Sequence, residues 1–120
     1  MYLILNIGLD VEATRSIAAD VALQIVSAND FLVVKHAVHQ SDTEPTLVVK
    51  VRVFDFPALA WQKLKQIAID LHQDCIAAYN PETGIGALIG PKAAAWGSFN
   101  PEFFILPDGN RLAGPAAQAA

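Results

Sequence analysis

The chain is poor in charge and in the residues that build covalent or metal-centred chemistry. Its single cysteine, Cys75, cannot close an internal disulfide, so nothing in its cysteine usage points to an oxidising compartment. Three histidines, at 36, 39 and 72, set no zinc spacing, and no cofactor motif accompanies them. No apolar run approaches the roughly 20 residues that a membrane helix needs. The apolar stretch from Met1 to Leu9 has no basic flank, and Asp10 and Glu12 cut it short, which reads as a strand and not a secretion signal. A formal net charge of −4 excludes the basic balance usual for wholesale nucleic-acid or anionic-membrane binding. The expectation is a soluble, cytoplasmic protein without membrane contact.

Apolar residues are plentiful. They make up 53% of the 120 residues against 17% charged, ample for one packed domain over residues 1–113. The small, featureless stretch 114–120 reads as a disordered tail. So few charges also leave apolar surface for a partner or a second copy of the chain.

Two strand-like runs dominate the middle of the sequence. Phe31 to His39 and Thr46 to Phe54 are rich in β-branched residues, flank the polar breaker Gln40–Pro45, and form a hairpin. Tyr2 to Gly8 precedes them as a first strand. Asp10 is positioned to cap a helix over 11–28, whose apolar stripe is Ile17, Ala18, Val21, Ala22 and Ile25, with Glu12, Ser16 and Asp20 wet. After the hairpin, Asp55-Phe56-Pro57 signals a helix start, and a second helix over about 57–73 turns Ala60, Leu64, Ile67, Ala68 and Leu71 inward. A strand over 74–80, the turn Asn80-Pro-Glu-Thr-Gly84 and a strand over 85–89 follow. Beyond Gly90 the pattern predicts one helical turn over 91–95 and a short strand over 103–106, stopped by Pro107-Asp-Gly-Asn110.

This β-α-β-β-α-β order resembles the ferredoxin-like arrangement. It implies an α+β fold: an antiparallel sheet with both helices on one face, extended by a C-terminal β-hairpin and an aromatic flap. The likeness lies in the fold alone and implies no activity.

Such a sheet has a second face. In the third strand Leu47, Val49, Val51 and Val53 turn towards the helices and Val48, Lys50 and Arg52 away. In the second strand Leu32, Val34, His36 and Val38 form the inward set, leaving Val33, Lys35, Ala37 and His39 opposite. Pairing the two gathers Lys35, His39, Lys50 and Arg52 beside Ile4 and Asn6 of the first strand. That surface is a candidate for binding an acidic partner or an anion, the ordinary alternative being a solvated sheet side. The aromatic-rich signature of sheet-face RNA modules is missing, so nucleic acid is disfavoured. Trp96, Phe99, Phe103 and Phe104 fall within nine residues and must bury somewhere: across the open face, along a sheet edge or against a partner. Trp96 and Phe99 join the candidate partner contacts.

No catalytic constellation emerges. Gly84, Gly86 and Gly90 lack the strand-to-helix context of a phosphate loop. His72, Asp74 and Cys75 straddle a helix–strand break, and Cys75 reads as a small buried residue and not as an activated thiol. Asp10 with Glu12 and Asp42 with Glu44 have ordinary cap and loop explanations, and Ser98 is not in a nucleophile elbow. These absences favour a small non-enzymatic protein-binding module, an inhibitor or adaptor of a larger protein, in some settings homodimeric. Phage- or mobile-element-encoded accessory proteins, including host-defence inhibitors, have this compact, acidic, motif-poor character. The rival reading is a small enzyme or ligand-binding protein in which His39, Lys50 and Arg52 grip an anionic small molecule.

Overall fold

A computed structural model describes residues 1–9, 19–40, 45–73, 75–90 and 101–112 of the chain. In chain order the elements are β1 (Tyr2–Gly8), α1 (Ala19–Ala28), β2 (Leu32–Gln40), β3 (Pro45–Arg52), α2 (Pro57–Asp70), β4 (Ile76–Asn80) and β5 (Ile85–Ile89). The five strands form one antiparallel sheet in the order β2-β3-β1-β4-β5. The fold is α+β, as expected. The first part of the helix forecast over 11–28, residues 11–18, with its Asp10 cap, the turn over 91–95, Trp96, Phe99 and the tail all lie outside the described residues.

Alternation along the two central strands builds the main core. Leu3, Leu5 and Ile7 of β1 and Leu47, Val49 and Val51 of β3 point to one face, where they pack with Ala22 and Val26 of α1 and with α2. In α2 the five residues expected to face inward, Ala60, Leu64, Ile67, Ala68 and Leu71, are all buried, because steps of three and four keep them on one helical stripe. Pro57 opens this helix in the first turn, where its missing N–H costs nothing; Phe56 precedes it without a side-chain cap. Asp55 instead joins Asp30 in holding Lys63, at 2.8 and 3.1 Å, which ties the end of α1 to the start of α2. The hydrogen bond to Asp55 is the main reason the Lys63 ammonium is held above the ordinary lysine range.

The helix ends are built without glycine. Past α2, the His72 amide donates to Ile69 and the Gln73 amide to Ala68, with His72 itself in the left-handed region (φ 55°). This is the bonding pattern of a Schellman termination. The Gln73 side chain, buried, then donates to the Gly8 carbonyl at 3.0 Å and pins the helix exit to β1. Asp30, also left-handed (φ 65°), follows α1 and donates to the Ser27 carbonyl, and a short polar side chain tolerates that conformation better than most. The turn after β4 follows its expected chemistry: Gly84 (φ 75°) donates to the Asn80 carbonyl, while the Asn80 side chain accepts from Glu82 and Thr83.

Four expectations are corrected. The helix ends at Asp70 and β4 begins at Ile76, so the strand does not start at 74. Val21 is exposed; of the forecast stripe Ala22 is buried and Ile25 packs against the core, and Val26, not forecast, is the second buried residue of α1. Cys75 is exposed and not buried, since it precedes β4 and does not enter it. In β2, a bulge between Val33 and Lys35 breaks the alternation. Val33 therefore opposes the core residue Val51, and Leu32 opposes Arg52 on the other face, the reverse of the forecast; beyond the bulge, Lys35, Ala37 and His39 fall where expected.

Candidate functional site

The second sheet face is closed over one end and bare at the other. After a 3₁₀ turn (Pro101–Phe103), the chain lays a narrow hairpin across the sheet in place of the expected strand over 103–106. Ile105 bridges Arg111, Leu112 donates to Phe104, and Leu106 donates to Asn110 around a turn that uses Gly109 in the left-handed region (φ 91°). Phe104 and Ile105 are buried against Ile4, Val48 and Tyr79, a second apolar cluster on the side away from the helices. Tyr79 and Phe104 meet with ring centroids 5.7 Å apart in a tilted arrangement.

Asn6 fastens the hairpin. Its side-chain amide donates to the Ile105 carbonyl and accepts from the Ile105 amide, both at 2.8 Å, so one side chain satisfies both backbone groups of a buried residue. His39 fixes the far end: its Nε2–H donates to the Pro107 carbonyl at 3.0 Å. The ring also lies so close to Gly109 that a Cβ there would stand 3.1 Å from it. His39 was expected to face a partner, and here it holds the hairpin. At the hairpin tip Asp108 accepts from the Asn110 backbone and side chain at 3.0 Å each. Those bonds, helped by the Lys35 charge, keep its carboxyl below the usual aspartate range.

The uncovered end carries the other cations. Lys35 sits directly opposite Lys50 in the β2–β3 register, and Arg52 lies two residues further along β3, opposite Tyr2 of β1 and Leu32 of β2. Like charges placed opposite each other across strands repel, so this arrangement costs stability and calls for an explanation. Aromatic rings offset part of the cost. The Lys50 ammonium lies 5.0 Å from the Tyr2 ring centroid, and the Arg52 guanidinium lies 5.9 Å from Tyr2 and 4.9 Å from Phe54. No salt bridge offsets it, since among the described residues the salt bridges are those of Lys63 with Asp30 and Asp55; Lys35 interacts with Asp108 only through longer-range attraction. Glu82 accepts from the Tyr2 backbone amide at 3.3 Å. Arg52, Phe54 and Leu32 are exposed, the last two with 68% and 54% of their surface open.

The structure thus brings Lys35, Lys50 and Arg52 together and sets His39 apart. Tyr2 and Phe54 were missed as members of the patch. The signal for them was present in the alternation that puts even-numbered residues of β1 and β3 on this face. Among the described residues, no three His, Cys, Asp or Glu side chains gather to hold a metal, and no helix is long and apolar enough to cross a membrane. No protein-family model, curated protein sequence or solved structure matches the chain.

Proposed function

We propose that the chain is a small non-enzymatic binding module of the cytoplasm, an inhibitor or adaptor that seats an acidic protein surface on Lys35, Lys50 and Arg52. The ferredoxin-like description of the sheet, with a C-terminal β-hairpin extension and an aromatic flap, belongs to the same reading. One observation carries it: two lysines face each other across strands with an arginine alongside, none in a salt bridge with a described carboxylate, framed by the half-buried ring of Tyr2 and the exposed ring of Phe54. A surface that keeps like charges together at a cost in folding recovers that cost when an acidic partner arrives. Rim-exposed cations of this kind act chiefly on association rate and salt dependence.

The test is binding of fluorescent poly-L-glutamate to the wild type and to Lys50→Glu/Arg52→Glu, with light scattering on both. The expected result is salt-sensitive binding to a wild-type monomer that the charge reversal abolishes while the urea midpoint holds. Tighter binding to oligo-dT would replace the reading with a nucleic-acid one. Full competition by inorganic phosphate would replace it with a small-anion site. A wild-type dimer that the charge reversal dissociates would assign the patch to self-association.

A further inference from the structure

We infer that the partner binds as an extended strand added to the outer edge of β2, which no described strand pairs, with acidic and apolar residues alternating along it. This inference rests on the basic-patch reading and names the form its acidic partner takes. β2 is an edge of the sheet: it pairs with β3 on one side, and no described strand lies on the other. It is the longest strand, nine residues, and six of them are exposed, including Leu32, Val34 and Val38 at about half their surface. The opposite edge, β5, has five residues and one in that state, Ile85. An open edge offers its backbone N–H and C=O groups to any passing strand, and proteins that do not use such an edge keep it short or cover it.

The two sides of this edge differ, and the difference specifies the occupant. Residues of an added strand alternate between the faces. On the face away from the helices they would stand beside Lys35, with the Lys50 backbone about 10 Å away, two strand spacings, within the joint reach of a lysine and a glutamate. On the helix face they would stand over an open groove of about 490 Å³ between α1 and β2, lined by Leu23, Gln24, Ser27, Ala28, Val33 and His36. Acid on one side and small apolar side chains on the other is therefore the complementary pattern.

The charge of β2 also argues against a second copy. Its sequence, Leu-Val-Val-Lys-His-Ala-Val-His-Gln, holds one lysine and no acid, so a β2–β2 pairing would find no opposite charge for that lysine. The bulge at Val34 narrows the regular edge to Lys35–Gln40. A lysine and a bulge are standard protections against edge-to-edge association. Here the lysine that repels neutral or basic strands is what admits an acidic one.

The experiment uses a capped ten-residue peptide of alternating Glu and Val, titrated into the full chain by calorimetry, with two further peptides N-methylated at every Glu or at every Val. A strand bonded along one edge uses the amides of alternate residues, so one methylated peptide should bind about tenfold more weakly or worse, and the other within about twofold of the parent. Lys35→Glu should also cost about tenfold or more. If neither methylation weakens binding while Lys50→Glu/Arg52→Glu still abolishes it, strand addition is overturned and the basic patch stands. If charge reversal leaves peptide binding intact, the patch itself fails. A wild-type dimer that the parent peptide does not dissociate would assign the β2 edge to a second copy and overturn the inference.

Discussion

The two faces of the sheet are made by the same alternation and closed in different ways. One face is capped by two helices whose side chains reach every strand of the sheet, giving a core that includes Phe31, Leu5, Leu47, Leu64 and Ile67, each at most 1% exposed. The other is capped by a hairpin running from Phe104 to Leu112, which buries Ile4 and Val48 beneath it and stops short of Arg52 and Tyr2. Helices close a face by apolar area. The hairpin, too narrow for that, relies on particular polar anchors, Asn6 at its middle and His39 at its end. The face held by a few anchors is the one left with an accessible end.

The strongest way to test this contrast is to weaken each closure in turn. Leu64→Ala removes a fully buried side chain from α2 and should cost about 2–5 kcal/mol of unfolding free energy, read from urea denaturation. The loss should be global, with amide protection falling in both helices and in the sheet together. Asn6→Ala should cost less, about 1–3 kcal/mol, because it leaves the Ile105 amide and carbonyl without partners. Its signature should be local: faster hydrogen exchange at Ile105 and Leu112 with α2 unchanged, since the hairpin can lift while the main core stays shut. A global loss from Asn6→Ala would instead mean that both faces unfold as one unit.

The smallest expected effect is that of acid on the hairpin tip. The Asp108 carboxyl titrates below its ordinary 3.8 in the folded chain, first through the Asn110 backbone bond and then the Asn110 side chain. A depressed carboxylate contributes stability that is complete above its unfolded value and is lost as pH falls through the folded one. Chemical shifts of Gly109 and Asn110 should therefore hold steady down to about pH 4 and move below it, while those of α2 stay put. Movement beginning above that value would show that the turn does not hold the carboxylate.

Much of the fold was legible because β1, β3 and α2 each carry an unbroken period: two for the strands, three-to-four for the helix. The cations of the patch were legible for the same reason, since Lys50 and Arg52 sit in a cleanly alternating strand. The features missed have no periodic signal. The bulge in β2 lies in Leu-Val-Val-Lys, where nothing in the residue types marks an extra residue. The role of His39 depends on a carbonyl 68 residues later, and that of Asn6 on a residue 99 positions away, and such pairings leave no local trace. Pro107-Asp-Gly-Asn110 was legible as a turn, but a turn motif does not say which surface it will lie on. Cys75 was misplaced because small apolar residues are usually buried, and here the strand begins one residue too late to carry it inside.

The bulge at Val34 has a consequence for how this surface can change over time. A strand that alternates without interruption from Leu32 and Val33 would send Lys35, Ala37 and His39 towards the helices and His36 and Val38 away from them. One extra residue shifts the phase, so the bulge decides which side the positive charge occupies. Deleting Val34 would remove the bulge and leave Lys35 opposite Lys50, on the face it already holds. The strand can therefore lose this residue and keep its charged side, whereas straightening the bulge with every residue retained would turn Lys35 towards the core and reverse the face an acidic partner would meet.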